Sequence, residues 1–186
     1  ALTVTAPATG YVVPRAHAAW SSAKLALHGI EFQRVIAPQP ASAVQTFRAD
    51  RTTTAAETFE GRSLMTVDGA WRDETRNIGP GALFVPIAQP KARLVMSLLE
   101  PQAPDSFVSW GYFSAAFERK EYMENYVTEA VARQMLSQDA VLKAEFERRL
   151  RDDAAFAGNP DARLEFFYRR HPSWDERYGL YPVYRK

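Results

Sequence analysis

Cysteine is absent from the 186-residue chain. Structural disulfides, thiolate nucleophiles and thiolate-bound metal are excluded together. Histidine is scarce; His17, His28 and His171 are the whole supply. No apolar run approaches the roughly 20 residues that a membrane-spanning helix needs. No basic-then-apolar segment of the signal-peptide kind opens the sequence. Neither a glycine-rich phosphate loop nor a G-x-S-x-G elbow occurs, and no Ser-His-Asp set can be assembled around a candidate nucleophile. Charge of one sign is also lacking. The net charge is +1, and the arginines at Arg148, Arg149, Arg151, Arg169 and Arg170 alternate with acids. Strong steering toward nucleic acid or an anionic membrane is therefore not expected.

What remains is an ordinary globular composition, 46% hydrophobic and 24% charged, in a chain long enough to bury a sizeable core. The opening Ala-Leu-Thr-Val-Thr-Ala-Pro has no initiator Met and reads as a segment of something longer. One domain is expected over 1–186, of α+β class, with three subparts. Residues 1–40 hold a small strand–helix–strand unit, 41–89 an antiparallel sheet and 90–186 a mainly helical half.

The first subpart rests on the strand Tyr11-Val12-Val13, ended by Pro14. A helix over 16–28 follows, placing Trp20, Ala23, Lys24 and Leu27 on one face. Gly29 stands where a helix cap is wanted, and Glu31 to Ile36 alternates like a half-buried strand. In the second subpart Val44–Phe47 and Leu64–Val67 alternate, and Asp68-Gly69 predicts a two-residue hairpin turn returning along 70–78. The stretch 52–56 suits a strand or a loop equally. A further strand is expected over 83–87. Beyond it Leu94, Val95, Leu98 and Leu99 form a helical stripe after Pro90. One long helix is predicted from about 113 to 135, with Phe117, Val127, Ala130 and Val131 on one side and Glu118, Arg119, Glu121, Glu124 and Glu129 on the other. The next helix runs from Leu142 to near Gly158, and Asn159-Pro160-Asp161 starts the last.

The one metal-like pattern is His28-Gly29-Ile30-Glu31, an H-x-x-E spacing with His171 far downstream as a third ligand. Two imidazoles and a carboxylate around zinc leave an open position that makes water nucleophilic near neutral pH. The local context opposes it. Gly29 is needed to cap a helix, Glu31 opens a strand toward solvent, and His171 ends a helix. Acids elsewhere mostly have a basic residue four positions away, as Glu147 has Arg151, the pattern of a solvated helix face. No catalytic residue and no metal ligand is assigned. The dense group Phe107, Trp110, Tyr112, Phe113 and Phe117 has two readings. Trp110, Tyr112 and Phe113 suit a stacking platform for a peptide or glycan, or a partner contact; the same residues suit a hydrophobic core.

The string from Pro80 to Phe113 has further content. It contains Phe-Val-Pro-Ile-Ala-Gln-Pro (84–90), Leu-Leu-Glu-Pro (98–101) and Ser-Trp-Gly-Tyr-Phe (109–113), followed by Phe-Glu-Arg-Lys-Glu-Tyr (117–122). With the opening Gly-Tyr-Val-Val-Pro (10–14) and the closing Tyr-Pro-Val-Tyr-Arg (181–185), it resembles the C-terminal region of large bacterial peptidases of the zinc carboxypeptidase family. The resemblance is loose before residue 60 and close after 79. It implies a non-catalytic accessory domain that packs on and supports an N-terminal peptidase domain absent from this chain. It also implies that zinc, the catalytic base and the carboxylate-binding arginine belong to that missing domain, so that this chain holds no cofactor. A hydrolase parent and a periplasmic or secreted location follow from the resemblance alone. The alternative is a stand-alone peptide- or glycan-binding module.

Overall fold

The computed structural model describes residues 3–119 and 123–186. They form two compact units. One combines the chain up to Glu118 with Arg177–Lys186, and the other is Arg119–Glu176. The second is thus inserted into the first, and the expected subpart boundaries near 40 and 89 do not separate packed bodies. The class is α+β, as the sequence suggests.

In the first unit six strands make one sheet in the order β2-β5-β1-β6-β3-β4, all antiparallel. They are β1 (Gly10–Val13), β2 (Gln33–Arg34), β3 (Gln39–Phe59), β4 (Arg62–Ile78), β5 (Leu83–Pro86) and β6 (Tyr184–Arg185). Because side chains alternate along a strand, Tyr11, Val13, Leu83 and Val85 enter the large core on one face while Val12 and Phe84 point to the other. The large core is closed by helices α1 (Arg15–Leu27) and α2 (Ala92–Leu99) and by the loop carrying Phe107, Val108 and Phe113. Strand β6 lies between β1 and β3. Gly10 and Lys186 exchange backbone hydrogen bonds of 2.8 and 3.0 Å, so the end of the sequence completes the middle of the sheet.

The hairpin expectation needs correction. Asp68 and Gly69 lie inside the continuous strand β4, and the turn is at Glu60-Gly61. These residues have φ of 48° and 73°, the paired positive values of a two-residue turn whose twist matches the strands. Gly61 adopts that conformation without steric cost. At Gly69 glycine serves a close approach instead. A Cβ there would lie 2.1 Å from Arg48 O, where the ladder slips between Ala49 and Arg51 and leaves Asp50 unpaired. A bulge and a turn share the same Asp-Gly signal. The stretch 52–56 is strand, and the expected strand over 31–36 shrinks to Gln33–Arg34.

Helix α1 ends as expected at Gly29, with Ile30 N–H reaching Leu25 O at 2.9 Å. Its buried face, however, is Ala18, Ser21 and Leu25, and Leu27 is 86% exposed. Ser21 can occupy that face because its hydroxyl donates to His17 O at 2.6 Å, leaving no unsatisfied polar hydrogen. Helix α2 buries Val95, Leu98 and Leu99.

The single long helix predicted over 113–135 is not formed. Helix α3 spans only Ser114–Phe117, and α4 begins at Asn125 and runs to Gln138. Glu118 and Glu124 are extended, with ψ of 136° and 143°; Glu121 falls outside the described residues. The physical reason is that the two ends serve different cores, Phe117 the first unit and Ala132 the second. On α4 the buried positions are Thr128 and Ala132, and Thr128 again hides its hydroxyl on the carbonyl four residues back, Glu124 O at 3.1 Å.

In the second unit α4 is followed by α5 (Ala140–Asp152), α6 (Ala154–Gly158) and α7 (Pro160–Tyr168). Ala132, Leu142, Phe156, Phe166 and Phe167 form the core. Asp139, Asp153 and Asn159 each accept a hydrogen bond from the backbone N–H three residues on, at 2.9, 2.9 and 3.1 Å. The Asp153 cap is what divides the expected 142–158 helix in two, since it starts a new helix where the old one ends.

Candidate functional site

The most polar buried point of the first unit is Glu100, which caps the end of α2 and is 3% exposed. Its Oε1 accepts from Tyr11 Oη at 2.5 Å and from Arg185 Nε at 2.8 Å. Its Oε2 accepts from Arg185 Nη2 at 2.6 Å and Trp71 Nε1 at 3.2 Å. The guanidinium also lies 4.2 Å from the Trp71 ring centroid, and Tyr181 Oη donates to Leu99 O at 3.0 Å. Burial first, then the Glu100 carboxylate, pushes the Tyr11 phenol well above its ordinary value. Burial and the same carboxylate push Tyr181 up as well. Four donors saturate the two carboxylate oxygens, so Glu100 has no lone pair left to take a proton from a substrate. The cluster is a clasp that ties α2, β1, β4 and β6 together. Sequence reasoning did not single out Glu100 and Arg185 as partners; the signals were a glutamate at a helix end before Pro101 and an arginine in an apolar terminal strand.

Of the aromatic candidates, Phe113 lies in the helix-covered core and Tyr112 packs against it. Phe113 is 2% exposed and meets Tyr181 edge-on at 5.1 Å. Tyr112 stacks on Trp20 with centroids 5.1 Å apart and planes 15° from parallel. Arg62 and Lys24 lie 3.8 and 4.6 Å from the same Tyr112 centroid, so its π faces are engaged within the protein. Trp110 is half-buried and sits 6.0 Å from Phe59 near the hairpin tip. The structure thus brings the three residues together as a wall packed against α1 and the β3–β4 hairpin.

His28, Glu31 and His171 are not brought together as a ligand set. His28 terminates α1, and its carbonyl accepts from Lys91 Nζ at 2.5 Å. The Glu31 backbone is held at both N–H and C=O by the Gln89 side chain, at 2.9 and 3.1 Å. His171 belongs to the second unit, with Nδ1 2.7 Å from Ser173 Oγ. Among the described residues no group of three His, Asp or Glu side chains could hold a metal ion. No helix among them is long and apolar enough to cross a membrane.

The opposite face of the sheet has a different character. Val12, Val35, Val44, Ile78 and Ala82 form a second apolar cluster, with Phe84 and Tyr184 packed on it, and no helical residue contributes. A groove of about 530 Å³ opens beside it, floored by Val12, Val35 and Phe84 and rimmed by Arg34, Gln39 and Lys186. Ile36, on its lip, is 90% exposed. Farther along the face Glu74 accepts from Arg48 Nε at 2.9 Å and from the Arg76 guanidinium. Burial works against the Glu74 charge, yet these two arginines hold its carboxyl below the usual value. Burial also raises the phenol of Tyr184 beside it.

Comparison with known proteins returns nothing to set beside this geometry: no family model, curated protein or solved structure matches the chain.

Proposed function

We propose that the chain is a non-catalytic accessory module of a bacterial zinc carboxypeptidase-like protein, and that it supports a peptidase domain by packing against it through the helix-free face of its sheet. The observation that carries this reading is that face. One side of the sheet is closed by α1 and α2, whereas the cluster of Val12, Val44 and Ile78 on the other side is topped only by Phe84 and Tyr184. Those three residues are themselves only 2, 5 and 3% exposed. What this face offers a neighbour is the half-buried Phe84 and Tyr184 and the 90% exposed Ile36, apolar surface of the kind that interaction sites carry.

The resemblance supports the same reading in another way. The segments that carry it, 80–113 and 181–185, supply Glu100, Tyr181 and Arg185 to the clasp and β5 and β6 to the sheet. Those motifs build a frame rather than a reaction centre.

The test has two arms. The isolated chain is assayed for zinc by calorimetry and for release of C-terminal residues from peptides; no turnover is expected, and stoichiometric zinc with turnover overturns the proposal. A catalytic domain of the resembling peptidases is then titrated with the chain and with Phe84→Asp. Binding by the parent chain and its loss in the variant is the expected result.

A further inference from the structure

The long hairpin has one edge without a partner. Strand β3 is flanked by β6 at Gln45 and by the segment leading into β6, Gly179 and Leu180, as far as Ala49, whose N–H reaches Gly179 O at 2.8 Å. Beyond that point no described strand pairs with this side of β3, and residues 51–59 are all exposed.

The direction of the backbone groups there follows from the partner strand. Met65 N–H donates to Ser109 O at 2.9 Å, and Val67 O accepts from Gln102 Nε2 at 3.4 Å. Both residues therefore turn their backbone away from β3. In an antiparallel ladder the residue opposite does the same. Thr54 lies opposite Met65 and Thr52 opposite Val67, so these threonines present N–H and C=O to the open edge. Farther on, β4 has only Leu64 between the partners of Thr54 and Thr58, which leaves Ala55–Glu57 short of partners in their own hairpin. Natural edges are blunted by charged side chains, proline, a bulge or a covering element; this one carries Arg51, Glu57 and the irregularity between Thr54 and Thr58, and is otherwise open. Here the stretch from Asp50 to Phe59 contains neither lysine nor proline.

The edge is also self-complementary. Place a second copy antiparallel to it with Thr54 on the twofold axis. Thr54 then faces Thr54, Thr52 faces Ala56, and Arg51 faces Glu57 of the second copy, twice by symmetry. Opposite charges directly across a ladder stabilise the pair. Arg51 already donates to Asp68 of its own hairpin, through Nε at 2.8 Å and Nη2 at 2.5 Å, so Glu57 of the second copy would share a cation with Asp68.

The geometry points to self-association: two copies of this chain join edge to edge through β3, in the register that sets Arg51 against Glu57 of the other copy.

Sedimentation equilibrium of the full chain over a wide concentration range tests it. The expected result is a rise from 21.0 kDa toward twice that mass; a monomer at every concentration overturns the proposal. Thr54→Pro removes a donor that faces away from β4 and so spares the hairpin. It should abolish the dimer while leaving circular dichroism and melting unchanged. Glu57→Arg should weaken association at least tenfold, and Arg51→Glu/Glu57→Arg with Asp68→Lys, which keeps an opposite charge beside position 51, should restore it. A dimer indifferent to Thr54→Pro, or a charge swap that fails to rescue, refutes the pairing.

Discussion

Replacing Glu100 by glutamine is the sharpest test of what holds the first unit together. The two side chains have the same shape, so packing is conserved, but glutamine offers one acceptor oxygen where the carboxylate offers two. Four donors converge on Glu100, two per oxygen. Whichever way the amide turns, two of those donors meet an NH₂ group. Arg185, only 9% exposed, is left as a buried cation without its anion. Removing one partner of such a pair costs about 3–5 kcal/mol, a large part of the roughly 5–15 kcal/mol that stabilises a domain. At about 3 °C per kcal/mol for a unit of this size, the melting temperature should fall by about 10 °C. Calorimetry with near-ultraviolet dichroism, to which Trp71 contributes, follows the first unit's transition. Glu100→Gln/Arg185→Met should recover much of the loss, because removing both partners leaves no unpaired charge. A Glu100→Gln variant within about 0.5 kcal/mol of the parent, or strict additivity in the double-mutant cycle, would refute the idea that the clasp is saturated and closed.

Three further outcomes follow from the same structure. Tyr11 and Tyr181 both have phenol values raised above the ordinary one of about 10, so the folded state holds these protons longer than the unfolded chain does. Their contribution is fully present below pH of about 10 and is lost as pH rises beyond it; urea midpoints on either side of pH 10 should show the fall, and Tyr11→Phe should flatten it. Gly69→Ala drives a Cβ against Arg48 O at 2.1 Å and should cost about 3 kcal/mol, whereas Gly61→Ala, with open space around it, should cost about 1 kcal/mol for the left-handed backbone; equal melting shifts would contradict the bulge. Excising Arg119–Glu176 and joining the ends with a short glycine linker should leave the first unit folded, since Gly179 N–H already bonds Ala116 O at 3.0 Å; loss of its near-ultraviolet dichroism would show that the units are not separable.

Much of the fold was legible residue by residue. The Tyr11–Val13 strand, the Gly29 cap and the Asn159-Pro160 helix start all depend on contacts within a few positions, and they appear where the sequence puts them. The failures share a cause. Ser21 and Thr128 occupy buried helix faces, but they read as polar because nothing local says that each hydroxyl will turn back to its own helix. Asp68-Gly69 carries the letters of a turn, and only the approach of Arg48 from the opposite strand makes it a bulge. The predicted 113–135 helix is locally consistent, and it is divided because Phe117 and Ala132 belong to separate cores.

The same division holds for the candidate site. Composition and motif content established an α+β chain without thiol chemistry or a phosphate loop, because those readings require only that certain residues exist. Tertiary structure decided which residues meet. Glu100 and Arg185 are 85 positions apart, and no periodicity links them; they become partners because β6 enters the middle of the sheet, where burial demands that each charge find its opposite. The open edge of β3 is likewise decided by strand order, because which strand lies beside which depends on pairings between segments far apart in sequence.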